Sequence, residues 1–394
     1  MVPKGWKETK LGLHTIKVGS GITPKGGSDT YKTCGIPLIR SQNVLWGQLD
    51  LSGVAFIDDV QHNKMANSTV YPNDVLLNIT GASIGRATVV PSQLKKANVN
   101  QHVCIIRTTK NLEPNYLMQY LISSSGQKQI EQFQAGGNRQ GLNYEQIRSF
   151  KLNIPPFEEQ IKIAIILSTW DKAIETTEQL FRNSQQQKKA LMQQLLSGKK
   201  RFPGFKEKWN IHSLEVIADI IMGTSPKSEG YNNENIGLPL IQGNADIKDR
   251  VSFPRVYTKE ITKKCIPGDI LLSVRAPVGA VATSIHTGCI GRGICAIRAK
   301  DKNNQMYLYH WLMFFENKWS TLSQGSTFDS VNSNDIRSLK INLPENNKEK
   351  NKIVSCLMVI DKEIECLKNK IDLLKQEKKA LMQVLLTGKK RVKV

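Results

Sequence analysis

Apolar residues follow two different rules along this chain. From Ile163 they recur at alternating steps of four and three, through Leu167, Trp170, Ile174, Thr177, Phe181, Ser184, Lys188, Leu191 and Leu195. The same steps return through Ile353, Leu357, Ile360, Ile364, Leu367, Ile371, Leu374, Lys378, Leu381 and Leu385. A mean spacing of about 3.5 residues is the seam of a coiled coil, so each stretch predicts one long helix. The second seam is apolar except at Lys378, whereas the first also carries Thr177, Ser184 and Lys188 and is the weaker one. Gly198 and Gly388 supply helix stops, and the Lys-Lys-Arg after each complements the carbonyl end of the helix dipole. At ~1.5 Å per residue, about 40 residues make a rod of roughly 60 Å. Two seams in one chain pack most economically against each other, in antiparallel fashion.

Outside the helices the pattern shortens. Residues 74–79, 99–106 and 270–274 are apolar, β-branched runs between Gly, Pro and Asn, and read as strands. Helical spacing returns briefly at 116–122 and 307–314, where core packing suffices as an explanation. The fold expected is α+β: two tandem mixed, strand-rich domains, each followed by a long helix, with the helices paired as an antiparallel coiled coil. The boundaries fall at 1–157, 158–198, 199–345 and 346–388, with a basic tail to 394.

The two rules occur in the same order twice because the chain is a tandem duplication. Lys188-Lys-Ala-Leu-Met-Gln-Gln-Leu-Leu-Ser-Gly-Lys-Lys-Arg201 returns, nearly unchanged, 190 positions later from Lys378 to Arg391. Ile147-Arg-Ser149 matches Ile336-Arg-Ser338, and the nine residues from Val99 match those from Ile290. Pro72-x-Asp74 pairs with Pro267-x-Asp269, Pro37-Leu-Ile39 with Pro239-Leu-Ile241, and Trp6 with Trp209. So long a period means two domain-sized units instead of a solenoid.

Charge then narrows the partners. The 55 Lys and Arg against 34 Asp and Glu leave a formal charge of +21, which favours polyanions, nucleic acid before anionic membrane. No apolar run is long enough to span a bilayer, and the N-terminus lacks a signal-like apolar region, so a cytoplasmic protein is expected. The 7 cysteines are scattered, with no C-x-x-C pair, and read as reduced thiols. Neither they nor the 6 histidines offer the spacing of a metal site.

Catalytic signatures fail on inspection. Asn153-Ile-Pro-Pro-Phe157 resembles the Asn-Pro-Pro-Phe loop of adenine methyltransferases but carries an inserted Ile, and Asn342-Leu-Pro-Glu345 lacks the aromatic residue. Both read as linkers ahead of the helices. Gly291-Arg-Gly-Ile-Cys-Ala296 has dinucleotide-loop spacing without opening a helix, and no phosphate loop exists because both Gly-Lys pairs end helices. Gly81-Ala-Ser-Ile-Gly85 matches a nucleophile elbow, but Val89-Val-Pro91 interrupts the required helix, so it reads as a turn. Asp246-Ile-Lys248 is half of a metal-dependent nuclease motif without a counterpart in the first copy. No catalytic residue, metal site or cofactor is expected on this chain.

A basic, duplicated, non-catalytic chain is suited to reading two DNA sites. Phosphate contacts give affinity, whereas specificity needs Arg, Asn, Gln, Ser or Thr at base edges. Such residues should lie in loops that differ between the copies. The first copy offers Arg40, Ser41, Gln42 and Asn43, then Thr80, Ser83 and Arg86, then Asn100 and Gln101, then Asn138, Arg139 and Gln140. The second offers Gln242, Asn244, Arg275, Arg292 and Thr327. A bridging protein that binds DNA without sequence preference and dimerises through its coil is the alternative, but it calls for similar loops in both copies.

Several of these segments together resemble the specificity subunit of type I restriction-modification systems. They are Gly21-Ile-Thr-Pro24 and Gly223-Thr-Ser-Pro226, the Asp-x-Leu-Leu strands, the Gly-Gly-Asn turn at 136–138, and Ile154-Pro-Pro-Phe-Glu-Glu-Gln160 leading through Ile163 to Asp171-x-x-Ile174. The second copy departs from the pattern at Asn346-Asn-Lys-Glu-Lys-Asn351 and at Gly325-Ser-Thr327. The resemblance implies two target recognition domains that read the halves of an asymmetric, gapped DNA sequence, with the coil fixing the gap. It also implies that two modification subunits, which bind S-adenosylmethionine and methylate adenine, and restriction subunits using ATP and Mg, assemble on the chain.

Overall fold

The computed structural model describes residues 3–134, 141–319 and 330–393. It divides into two compact units, Met1–Gln179 with Asn369–Val394, and Leu180–Lys368. The division runs through both long helices, Phe157–Leu195 and Asn347–Leu385, and not through the points at 157 and 345 where the sequence changes periodicity. Each unit therefore combines a globular part with the opening of one long helix and the close of the other. Burial explains this. Leu385 and Leu386 lie in one core with Leu117, Leu121 and Ile163, whereas Met192, Leu195 and Leu196 lie in another with Leu308, Leu312 and Ile353.

In the first unit, Thr15–Ser20, Val103–Thr108, Val75–Asn78 and Ala87–Val89 form an antiparallel sheet. A second sheet runs Ala55–Ile57, Ile36–Ile39, Ala97–Val99, Thr69–Val70, with the middle pair parallel. Val75–Asn78 is buried on both faces: Leu77 joins the core that holds Cys104 and Ile106, and Leu76 the one that holds Ile105. Two-sided burial makes this strand a continuous apolar run instead of an alternating one. The second unit repeats the plan with Ala218–Met222, Ile294–Ala299, Ile270–Ser273 and Val281–Thr283, and again with a parallel pair in its other sheet, Leu238–Ile241 beside Gly288–Ile290; here Val251–Ser252 also joins Val281–Thr283 in parallel.

Two expectations change. The run 99–106 is two strands in two sheets, because Asn100-Gln-His102 turns the chain between them; Asn100 Oδ1 accepts from the His102 N–H at 3.1 Å, as short polar side chains do in turns. Asn153 and Asn342 are strand residues, not linkers: Lys151–Ile154 pairs with Lys7–Lys10, and Lys340–Pro344 with Trp209–Ser213. The buried Tyr116 and Tyr307 hydroxyls donate to the Asn153 and Asn342 carbonyls at 2.8 and 2.9 Å.

The helices pair along the expected seam, whose members are all buried or half-buried. In the first unit Lys378 contacts Asp171 at 2.5 Å and Lys375 contacts Glu178 at 2.7 Å. In the second, Lys188 pairs with Asp361, and Ser184 Oγ donates to Glu363 at 3.1 Å. In each unit one helix counts up as the other counts down, which is antiparallel pairing. The polar seam positions Lys188, Ser184 and Lys378 thus have partners on the facing helix, and Thr177 donates to the Ala173 carbonyl at 2.7 Å.

The basic segments after the helices do more than complement a dipole. Arg391 grips the buried Glu159 through two contacts of 2.6 Å, and the Trp6 indole N–H donates to the same carboxylate at 3.3 Å. Arg201 and Trp209 hold Glu349 in the same way, at 2.7 to 3.1 Å. Gly198 and Gly388 have φ of +73° and +67°, as left-handed helix stops require. A side chain at Gly388 would start 2.4 Å from Pro3.

Candidate nucleic-acid interface

The sheets decide which loops meet. Ile36–Ile39 and Ala97–Val99 run parallel, so Arg40–Asn43 and Asn100–His102 leave from the same edge. Val75–Asn78 and Thr15–Ser20 both run opposite to Val103–Thr108, and their ends lie beside its beginning. Gly21–Pro24 and the 79–83 turn therefore reach that same edge. Short bonds stitch the loops together: Gly21 N to Asn100 O at 3.2 Å, Asn100 N to Ile39 O at 3.0 Å, and Ile79 N to His102 O at 3.0 Å. A Cβ on Gly21 would lie 1.7 Å from the Val99 carbonyl oxygen, so only glycine admits this crossing.

On this first rim the candidate side chains divide by what they touch. Asn43 and Asn100 are buried and brace their own loops; Asn43 accepts from the Arg40 N–H at 3.0 Å and donates to the Asp50 carbonyl at 2.9 Å. The Ser41 carbonyl accepts from the Asn78 amide at 2.8 Å. Thr80 shares a 2.6 Å hydrogen bond with His102. Gln42 and Gln101 are exposed. The Arg40 guanidinium lies over the Tyr31 ring, 5.3 Å from its centre. Ser83 sits half-buried in the 81–83 turn, with no helix after it. Arg86 instead lines a cavity of about 840 Å³ with Trp46, Asp171, Glu175 and Lys379. Asn138, Arg139 and Gln140 lie outside the described residues.

The second unit gathers its candidates more tightly. Gln242, Asn244, Arg275 and Arg292 line one cavity of about 500 Å³ together with Ser225 and Tyr231. Gln242 is oriented twice: its backbone N–H donates to Asp246 at 2.9 Å, and its side-chain amide donates to the Tyr231 hydroxyl at 2.8 Å. Arg292 N–H donates to Ser225 Oγ at 3.2 Å. Gly223 crosses here as Gly21 does; its Cβ would lie 2.2 Å from the Gly291 carbonyl oxygen. Asp246 is buried and held by Arg255 at 3.1 Å, so the Asp246-Ile-Lys248 triplet braces a turn. Thr327 lies outside the described residues.

The repeated motifs that looked most like signatures are scaffold. Asp74 and Asp269 are about 1% exposed. Each takes a bidentate Arg, Arg107 or Arg298, at 2.7 and 2.8 Å, and a backbone N–H at 2.8 Å. This pairing raises the pKa of both arginines. Burial pushes the Cys104 and Cys295 thiols up to about 12, which keeps them protonated. Sequence reasoning missed Tyr31, Ser225 and Tyr231 on the rims, where the signal was only their position in or near the repeated Gly-x-x-Pro and Pro-Leu-Ile segments.

The model of the type I restriction modification DNA specificity domain matches residues 3–181 and again 206–376. The chain belongs to that family. A protein of Methanocaldococcus jannaschii assigned as the type I restriction enzyme MjaX specificity subunit is 31% identical over 100% of this chain and 95% of its own length. The type I restriction-modification S subunit from M. genitalium superposes with a TM-score of 0.66 at 14% identity, covering 98% of this chain and 96% of its own. A chain from a solved type I R-M system gives 0.62 at 24% identity, covering 98% of each. The α+β fold is shared with these structures. As a specificity subunit the chain recognises DNA and is not itself an enzyme. None of its described helices is long and apolar enough to cross a membrane.

Proposed function

We propose that each unit reads one half of an asymmetric, bipartite DNA target through its loop rim, and that the long helices set the unread gap. The observation that carries this reading is the convergence in the second unit. Four candidate side chains from three loops, far apart in sequence, line one cavity on a scaffold that the first unit repeats with different side chains. A repeated scaffold with divergent tips is what two readers of different sequences require. A non-specific bridge would need no such divergence.

Chemistry is supplied by partners in this reading. Two modification subunits bring S-adenosylmethionine and methylate adenine, restriction subunits bring ATP and Mg, and the assembly works in the cytoplasm. The test is selection of DNA from a random pool by the chain assembled with its cognate modification subunit. Two short conserved blocks at a fixed spacing are expected; enrichment without any sequence would leave the bridging reading.

A further inference from the structure

We infer that the half-site read by the second unit contains a guanine, and that Arg275 and Arg292 read it from the major groove. The inference rests on the reading just proposed and names the base chemistry of one half. Arg275 and Arg292 are exposed and belong to one concave rim. Among the described residues neither guanidinium has an ion-pair or hydrogen-bond partner. Among the described residues no carboxylate lines the cavity, and its other polar members are Ser225, Tyr231, Gln242 and Asn244 with two further serines.

The contrast with other arginines of the same unit is informative. Arg201, Arg250, Arg255 and Arg298 are each neutralised by a carboxylate, on Glu349, Glu316, Asp246 and Asp269. Two cations left unpaired in one cavity repel each other, a cost that an acceptor-rich ligand relieves. A guanine presents N7 and O6 as adjacent acceptors, and the planar guanidinium fork meets both at once. Gln242 is already held by Tyr231 through its NH2 group, which leaves its carbonyl oxygen to accept. Such an acceptor suits the amino group of a cytosine or adenine beside or opposite the guanine.

A phosphate would also suit two free guanidiniums, and the experiment separates the two. Arg275→Ala, Arg292→Ala and the corresponding Lys variants are assembled with the cognate modification subunit. Selection from a random DNA pool and the salt dependence of binding are then measured for each. Base reading predicts that one guanine in one block becomes degenerate, with roughly 10- to 100-fold less discrimination at that position, the other block unchanged and Lys failing to restore it. A uniform loss over all sequences, with a shallower salt slope restored by Lys, would mark phosphate contacts and overturn the inference. A second block without any guanine would overturn it equally. Failure of the unaltered assembly to select two blocks would instead remove the reading beneath it.

Discussion

Lys378 Nζ donates to Asp171 Oδ1 at 2.5 Å across the paired helices, and the same pair recurs 190 positions away as Lys188 with Asp361. The sequence shows lysines interrupting two apolar seams; the structure shows why each is tolerated. The Lys378 side chain is 10% exposed and Asp171 31%, so either charge alone would be left poorly solvated. Paired at this depth they fix the register of the helices, as a single polar seam position does in coiled coils.

Lys378→Met should therefore destabilise the first unit by about 2 kcal/mol, less than for a fully buried pair because Asp171 keeps some solvent. Lys378→Met combined with Asp171→Leu should recover most of that loss. Urea unfolding of the four members of the cycle measures it; additive losses would mean that the pair is not coupled.

His310 occupies the place in the second unit that Gln119 occupies in the first. Gln119 donates to Asp171 at 2.6 Å, but the His310 Nδ1 stops 3.9 Å from Asp361, and neither ring nitrogen has a hydrogen-bond partner among the described residues. Burial, opposed by Asp361 and aided by Lys188, lowers its pKa to about 4. A histidine whose folded pKa lies below its unfolded one stays neutral when folded and binds its proton more readily unfolded. Its penalty is absent above the unfolded pKa near 6.5, grows as pH falls, and saturates at roughly 3 kcal/mol below about 4. His310→Gln should remove this part of the acid sensitivity. Thermal unfolding of both proteins from pH 7 to pH 4 tests it, and parallel curves would refute it.

The end of the chain should matter to its beginning. Arg391 holds Glu159, which is 1% exposed, together with Trp6. Truncation after Gly388 should destabilise the first unit while sparing the second, where Arg201 still holds Glu349. Arg391→Lys should restore little, since an ammonium cannot make the two-pronged contact. Hydrogen exchange resolved by segment would locate the loss.

Gly21→Ala and Gly223→Ala should each damage one rim. Their methyl groups would meet backbone carbonyls at 1.7 and 2.2 Å, contacts that flexible side chains cannot relieve. Each is expected to cost several kcal/mol or to displace the loop. Loss of recognition confined to one half-site is the expected readout in the selection experiment.

The long helices were legible because a seam of ten positions, specified twice, leaves little alternative. The duplication exposed the repeated scaffold and, by contrast, the variable tips. What stayed hidden depends on contacts between residues far apart in sequence. Nothing local in Asn100-Gln-His102 announces that the strands on either side belong to different sheets. Nor does Asn43 differ on paper from Gln42, although one braces a loop and the other meets solvent. The ion pairs of Glu159 and Asp74 were present in the sequence only as motif letters, because their arginines lie 232 and 33 positions away.

The most direct test of the central claim is modified-base sequencing of DNA from cells that express the chain with its cognate modification subunit, beside cells lacking only the chain. A gapped, two-part adenine methylation motif present only with the chain is the expected result. No such motif, despite confirmed assembly and an active methyltransferase, would contradict sequence-specific reading by the two rims.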